Sequence, residues 1–312
     1  MEIRNLGQSG LRVSSIGLGC NNFGGRIDEA ATGRVIHKAL DLGITLFDTS
    51  DTYGEKGGSE TVMGNILSAE RKRIVLATKF ASPMDDSGEK NGGSRRYIMT
   101  AVEDSLRRLR TDWIDLYQMH RVDPHTPIEE TLRALDDLIR QGKVRYIGCS
   151  NFPAWLMTEA AWTARTAGLN GFISCQDEYS LVHRAPEAEL IPAARKLGFG
   201  LLPFFPLASG LLTGKYRRNT PLPAGTRLAA TQRLADRYLT ERNWEIAERL
   251  SDFAESRGHT MLELAFSWLL ARPPVASVIA GATRPEQLEQ NVKAGGWKLT
   301  AEELAEIDRI AE

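Results

Sequence analysis

Ile44-Thr45-Leu46-Phe47 runs directly into Asp48-Thr49-Ser50-Asp51-Thr52-Tyr53-Gly54, and the reading of this junction decides the fold. A short apolar run that breaks on an acid predicts a buried strand ending in a polar loop, with Asp48 at the tip and Tyr53 just above it. Taken alone, the stretch has a plain explanation, a capped loop beside a packed tyrosine. The other explanation is an acid and a phenol handling a proton at one mouth. The rest of the chain decides between them.

Outward from this junction the same pattern repeats. Residues 1–14 predict a hairpin turning at Gly7-Gln8-Ser9-Gly10. Short apolar runs suited to strands then recur at 16–18, 45–47, 74–78, 114–119, 144–149, 172–175, 200–203 and 275–279. Between them, 29–42, 94–109, 127–139, 153–166, 186–197 and 285–292 carry apolar residues at helical spacing, as with Leu132, Leu135 and Leu138. Further helices are predicted at 244–257, 260–270 and 300–310, the last opened by a Thr300…Glu303 capping box. Strands that alternate with helices imply an all-parallel sheet, because each needs a crossover before the next. The expected architecture is α/β: a closed (β/α)8 TIM barrel with an N-terminal β-hairpin at its bottom and extra C-terminal helices. A doubly wound open sheet is the alternative. No Ser/Gly/Pro-rich linker divides the chain, so residues 1–312 are read as one domain. The stretch 207–242, rich in Gly, Pro, Thr and Arg, reads as a long functional loop.

Composition narrows the class of protein. Apolar residues at 42% and charged residues at 25% are ordinary for a folded protein with a substantial core. A net charge of -1 argues against a nucleic-acid or anionic-membrane partner. No apolar run approaches the ~18 residues that span a bilayer. The opening Met1-Glu2-Ile3-Arg4-Asn5 lacks the basic-then-apolar pattern of a secretion signal. Cys20, Cys149 and Cys175 are widely spaced beside apolar runs and read as buried free thiols. The cytoplasm is the expected location.

In such a barrel the active site forms where the strands end, so the polar residues at those tips matter most. In chain order the tips carry Asp48, Lys79, His120, Ser150-Asn151, Gln176, the aromatic Phe204, and then Gly281-Ala282-Thr283-Arg284. Singly, each has a dull account: a solvated lysine, a histidine bonded to a carbonyl, ordinary helix caps at Ser150 and Asn151. Their convergence is harder to explain that way. A free phenol, with a pKa of about 10, is a poor acid at neutral pH. A nearby ammonium such as Lys79 favours its ionised form, and Asp48 can hold that ammonium in place. His120 can hydrogen-bond a substrate oxygen. This set suits proton delivery to an oxygen gaining charge, as when hydride attacks a carbonyl carbon. None of these side chains can supply the hydride, so a cofactor is required.

Generic cofactor motifs fail. Gly17-Leu18-Gly19-Cys20-Asn21-Asn22 begins like GxGxxG but has Asn22 at the third glycine. Gly210-Leu211-Leu212-Thr213-Gly214-Lys215-Tyr216 is too short for a P-loop and lacks its Ser/Thr. What remains is the usual phosphate site of a barrel, after the last two strands. There Gly281-Ala282-Thr283-Arg284-Pro285 leads into a helix bearing Gln287, Gln290 and Asn291, whose N-terminus and Arg284 can hold a phosphate.

These residues resemble the aldo-keto reductases from the N-terminal hairpin to about Asn291. The likeness rests on Gly17-Leu18-Gly19-Cys20, Asp48…Tyr53-Gly54, Thr78-Lys79 and Leu116-Tyr117-Gln118-Met119-His120. It continues through Gly148-Cys149-Ser150-Asn151-Phe152, Gln176 with Tyr179-Ser180-Leu181, Pro206 through Tyr216, and Gly281-Ala282-Thr283. The resemblance implies reduction of aldehydes and ketones, and the reverse oxidation, with NADPH and without metal or flavin; NADH is the alternative cofactor. It implies Tyr53 as proton donor, Lys79 and Asp48 as its tuning partners, and His120 as the group orienting a small carbonyl substrate. By the same resemblance Ser150, Asn151 and Gln176 hold the nicotinamide carboxamide, with Phe204 stacked on the ring. Leu207, Ser209 and Lys215 line the pyrophosphate, and Thr283, Arg284, Gln287 and Asn291 meet the adenosine and its 2′-phosphate. Gly19, Cys20, Asn21, Pro206, Gly281 and Gln290 complete the implied cofactor contacts.

Four departures from the family pattern stand out: Phe204 for a frequent tyrosine, Phe205 for a serine, Gln290 for a glutamate, and Gly281 for a lysine. Preference for NADPH therefore rests on Arg284. Two rival functions are a non-catalytic subunit of the kind that attaches to ion channels, and a metal-dependent barrel hydrolase, for which no HxH cluster is present. Substrate choice is expected from Asn21, Asn22, Phe23, the 84–93 loop and the long loop after the seventh strand. Trp113 and Trp155 read as packing residues.

Overall fold

Eight parallel strands form one sheet in a computed structural model that describes residues 1–312. They are β3 (Ile16–Gly19), β4 (Leu46–Asp48), β5 (Val75–Phe80), β6 (Ile114–Met119), β7 (Val144–Ser150), β8 (Phe172–Gln176), β9 (Gly200–Leu201) and β10 (Val278–Gly281), with β10 beside β3. The ring closes between its ends: Leu201 bridges Val275, its amide donating to Pro274 at 3.0 Å and its carbonyl accepting from Ala276 at 2.9 Å. That closure selects the (β/α)8 barrel over the open sheet.

The hairpin strands β1 (Ile3–Asn5) and β2 (Arg12–Ser14) pair antiparallel. Leu6 and Val13 of the hairpin are fully buried in one apolar cluster with Leu46, Ala77, Leu116 and Ile279 of four barrel strands and with Leu202 and Ala276 beside them. The hairpin thus plugs the end of the barrel opposite the strand tips. Gly7 makes this possible: at φ +60° it lies so close to Gly198 that a Cβ would sit 2.4 Å from that carbonyl oxygen.

Around the ring run α1 (Glu29–Asp41), α2 (Tyr53–Leu67), α3 (Arg95–Leu109), α4 (Ile128–Arg140), α5 (Ala154–Ala167) and α6 (Leu190–Leu197). Asp28 caps α1 by accepting from Ala31 N at 2.7 Å, and Ser94 caps α3 through Tyr97 N. In α4 the predicted stripe is the buried one, with Leu132, Leu135 and Leu138 fully enclosed. Each such leucine contributes about 1.5–3 kcal/mol of burial.

Several boundaries differ from expectation. The helix α2 escaped the sequence reading because Gly54, Gly57, Gly58 and Gly64 erase its apolar period. Strand β5 continues through Lys79 to Phe80, so the lysine is an interior strand residue rather than one that follows the strand. The last strand starts at Val278, Val275 joining Leu201 only through an isolated bridge, and β9 keeps only two residues. The 207–242 stretch is more ordered than a long loop: it holds a 3-10 turn, Ala208–Thr213, and two short helices, α7 (Arg227–Ala230) and α8 (Gln232–Tyr238). The following helix α9 (Glu241–Glu255) begins earlier than 244, capped by Thr240. The helices α10 (Met261–Leu270), α11 (Pro285–Ala294) and α12 (Ala301–Ala311) follow, and the expected Thr300–Glu303 capping box is formed. No helix is long and apolar enough to cross a membrane.

Candidate active site

The strand register decides what meets at the open end of the barrel. Gly19 pairs with Asp48, Asp48 with Ala77, Lys79 with Gln118, and Ser150 with Gln176. Alternation then turns Asp48, Lys79, Gln118 and Gln176 toward the same interior layer, where all four are buried. The Lys79 ammonium donates to Asp48 Oδ2 at 2.6 Å and to the Thr49 carbonyl at 2.9 Å. The other carboxylate oxygen, Asp48 Oδ1, accepts from Gln118 Nε2 at 3.0 Å and Gln176 Nε2 at 2.9 Å. A buried charge pair holds only when its remaining lone pairs and protons are met in this way.

Tyr53 sits over this layer, its ring centroid 5.0 Å from Lys79 Nζ. It is held there by an unusual first turn of α2, in which Gly54, Glu55, Lys56 and Gly57 all have positive φ. Gly54 is required: a Cβ on it would lie 2.4 Å from the Phe23 carbonyl oxygen. Behind β5, the buried Glu60 accepts from Arg108 Nε at 2.7 Å and Thr78 Oγ1 at 2.5 Å, pinning α2 to the barrel.

The electrostatics refine the expectation for the phenol. Burial pushes the Tyr53 hydroxyl above its ordinary range; Lys79 pulls it down, but by less. The lysine therefore limits the rise rather than bringing the phenol near neutrality. Lys79 itself is held above its usual value, because Asp48 and Tyr53 outweigh its burial, and it remains an ammonium. Burial, with the charges of Lys79 and Arg121, lowers the His120 imidazole to about 3. His120 is thus neutral, its ring edge-on to Tyr53 with centroids 5.8 Å apart. Its Nδ1 lies 3.1 Å from Ser50 Oγ, and Nε2 has no partner within the protein.

Every residue expected at the site except Lys79 lines one cavity of about 1900 Å³. Lys79 lies beneath its floor. The volume exceeds the 300–1,000 Å³ typical of a pocket for one small ligand, so a dinucleotide and a substrate fit together. At the cofactor side Ser150 donates to the Gln176 carbonyl at 2.8 Å, and Asn151, at φ +58°, donates to the His120 carbonyl at 3.1 Å. The seventh-strand loop is backbone-strained, with Phe205, Ala208 and Ser209 all at positive φ. Within it Ser209 Oγ is buried without a partner. Lys215 Nζ lies where a Cβ on Gly210 would be 2.9 Å away, and neither Lys215 nor Arg284 is paired with a carboxylate. An orphaned Ser209 hydroxyl one residue from the Gly210–Lys215 contact fits the pyrophosphate of a nicotinamide dinucleotide. Gln287 is partly committed: its Oε1 accepts from Thr283 N at 2.7 Å and Arg284 N at 3.3 Å, leaving only its amide nitrogen for a ligand. Gln290 and Asn291 line the far wall.

Sequence reasoning missed several residues. Gln118 holds Asp48 from within an apolar strand, where a lone glutamine is the only signal. Arg26, from the loop before α1, and Arg227, at the start of α7, also line the cavity, Arg26 reaching Gly225 O at 3.1 Å and Arg227 lying 5.2 Å above the Phe205 ring. Of the expected substrate determinants, Asn21 and Asn22 line the cavity but Phe23 is fully buried behind it. The 84–93 loop is absent from the wall, which is formed instead by Ser82 and Pro83. Trp113 packs under the Arg71 guanidinium and Trp155 is surface-exposed, both outside the cavity. All three cysteines are buried free thiols. No group of three or more His, Cys, Asp and Glu side chains is placed to hold a metal ion.

A closed barrel that sets this carboxylate–lysine–phenol–imidazole group at a large cavity with unpaired cations fits a nicotinamide-dependent oxidoreductase. Residues 15–312 match the Aldo/keto reductase family, and the chain belongs to that family. It is similar to the "Uncharacterized oxidoreductase YrpG" of Bacillus subtilis (strain 168), 38% identical over 99% of this chain and 96% of that protein. It is 35% identical to the "L-glyceraldehyde 3-phosphate reductase" of Escherichia coli (strain K12), over 99% of this chain and 92% of that protein. The "Probable voltage-gated potassium channel subunit beta" of Arabidopsis thaliana is 36% identical over 94% and 91% of the two chains.

Proposed function

We propose that the chain catalyses the reversible reduction of a small aldehyde or ketone with NADPH, Tyr53 delivering the proton. The observation that carries this reading is the buried Lys79–Asp48 pair set directly beneath Tyr53. When bound in the groove, the nicotinamide supplies the hydride that no side chain here can supply. Asp48, itself fixed by Gln118 and Gln176, and the Thr49 carbonyl hold Lys79 so that its charge faces the phenol. As charge builds on the substrate oxygen, the Tyr53 hydroxyl passes its proton to it, and Lys79 stabilises the phenolate left behind. Neutral His120 donates from Nε2 to the same oxygen and fixes its direction. In the alcohol-oxidising direction each proton movement reverses. Ser209 and Lys215 take the pyrophosphate, Phe204 offers its face to the nicotinamide, and Arg284 takes the 2′-phosphate.

A second reading, a subunit that binds the cofactor and reports on it, draws on the likeness to the Arabidopsis thaliana protein. The complete set of Asp48, Tyr53, Lys79 and His120 favours turnover. A panel of aldehydes and ketones assayed in parallel with NADPH and NADH tests the proposal: steady oxidation with NADPH supports it, and binding of cofactor without oxidation by any carbonyl supports the second reading.

A further inference from the structure

Asp51 is a buried carboxyl that the mechanism does not use. It is 1% exposed, and its Oδ2 has no partner. Its Oδ1 lies 3.0 Å from Ser50 Oγ, which in turn lies 3.1 Å from Nδ1 of His120. The three groups form a continuous chain from the barrel wall to the imidazole at the cavity. We propose that Asp51 is a positioning residue that, through the Ser50 hydroxyl, selects which nitrogen of His120 carries the proton. The proposal rests on the role given above to His120 as the donor to the substrate oxygen.

Counting protons makes the argument. Ser50 Oγ has one proton to give and two lone pairs, one of them met by Thr52 N at 3.3 Å. Its proton goes to Asp51 or to His120 but not to both. Thr52 Oγ1 also lies 3.0 Å from Ser50 Oγ, and its hydroxyl rotates to suit either arrangement. With Asp51 protonated, the carboxyl donates to Ser50, Ser50 donates to His120 Nδ1, and the ring proton is on Nε2, facing the cavity. With Asp51 ionised, Ser50 must donate to the carboxylate. Its free lone pair then accepts a proton held on Nδ1, and Nε2 is bare. The first arrangement presents a hydrogen-bond donor to a carbonyl oxygen; the second presents a lone pair to it. Passing between them removes one proton from the chain. In the relay Asp51 gives its proton to Ser50, Ser50 gives its own to Nδ1, and the Nε2 proton leaves through the cavity.

The surroundings place this change in an accessible range. Burial and the nearby Glu60 of α2 raise the Asp51 carboxyl to about 7, against the opposing pull of Ser50, Arg108 and the Thr52 amide. Tyr97 of α3 and Tyr117 of β6 also face Asp51, and burial and its charge keep both phenols protonated. On the imidazole side, burial, with the charges of Lys79 of β5 and Arg121, bars a second ring proton, and Tyr53, held above its ordinary range, stays neutral. The tautomer of a neutral ring is therefore the variable that pH moves.

The test is nitrogen-15 NMR of histidine-labelled protein, in which bare and protonated ring nitrogens resonate far apart. The wild-type His120 signals are expected to change from the Nε2-protonated to the Nδ1-protonated pattern as pH rises through about 7. Asp51→Asn, whose amide still donates to Ser50, is expected to hold the Nε2-protonated form on both sides of that point. The high-pH limb of kcat for carbonyl reduction, roughly tenfold per pH unit above the transition by simple titration, is expected to flatten in the same variant. One unchanged tautomer in the wild type across this range overturns the proposal, as does an Asp51→Asn protein that still switches. The wild-type spectrum decides the matter even if the variant does not fold. It also needs no turnover, so a failure to reduce carbonyls, which refutes the catalytic reading, is told apart from a failure of the tautomer to switch.

Discussion

The Lys79 ammonium and the Asp48 carboxylate meet at 2.6 Å with the lysine fully buried and the aspartate nearly so. Desolvating both charges is expensive, and the pair persists because Gln118, Gln176 and the Thr49 carbonyl satisfy what the ion pair leaves over. Lys79→Met removes the positive partner and strands a buried carboxylate. It is expected to lower stability by about 3–5 kcal/mol in urea denaturation. The double variant with Asp48→Asn is expected to recover part of that loss, since no unpaired charge remains, while neither protein reduces carbonyls at more than a trace rate.

Asp177 makes stability depend on pH. Burial raises its carboxyl to about 7, with only a backbone hydrogen bond from Asn151 opposing. Between the unfolded value near 4 and this folded value, the native state binds more protons than the unfolded state, so this group makes stability fall as pH rises from about 4 to about 7. His120, lowered to about 3, acts in the opposite sense between about 3 and 6.5, so the comparison must be made against wild type. Asp177→Asn is expected to leave stability near pH 4 unchanged and to raise it above pH 7 by up to about 4 kcal/mol, from roughly three units at 1.36 kcal/mol each. Thermal melts of both proteins across pH check the sign and the window.

Much of this arrangement was legible in the sequence, and the rest was hidden for identifiable reasons. Strand tips announce themselves where an apolar run breaks on a polar residue, which is how Asp48, His120, Ser150 and Gln176 stand out. Lys79 was found by the same rule although the strand continues past it, because Leu76 and Ala77 before it still read as a buried run. The helix α2 was invisible because its glycines answer to close approach, Gly24 against Gly58 and Gly54 against Phe23, and not to a helical period. Gln118 gives no local signal: its role depends on lying opposite Lys79 in the register of β5 and β6, which only the closed sheet creates. The net direction of the Tyr53 shift was likewise out of reach, since it depends on how much burial opposes Lys79.

Gly54→Ala tests the placement of Tyr53. The residue has φ +65° and no room for a Cβ beside the Phe23 carbonyl. The variant is expected to lose more than about 1 kcal/mol of stability. It is also expected to lose carbonyl reduction out of proportion to NADPH affinity, as measured by kcat against a fluorescence titration of cofactor. Wild-type activity in this variant would mean that the left-handed turn does not position the phenol.

Arg284 is exposed at the start of α11 without a carboxylate partner. A charge-assisted contact to a phosphate is worth about 1.5–3 kcal/mol. Arg284→Ala is expected to weaken NADPH binding at least tenfold and to leave NADH binding within about twofold. Equal losses for the two cofactors would remove the argument for NADPH preference.

Tyr53→Phe is the most direct test of the central claim, because it deletes the acid and keeps the ring over Lys79. The measurement is a single turnover: protein preloaded with NADPH is mixed with an aldehyde that the wild type reduces, and nicotinamide absorbance is followed. The account predicts cofactor affinity close to wild type and no oxidation on the wild-type time scale. Oxidation at the wild-type rate would show that the proton comes from elsewhere.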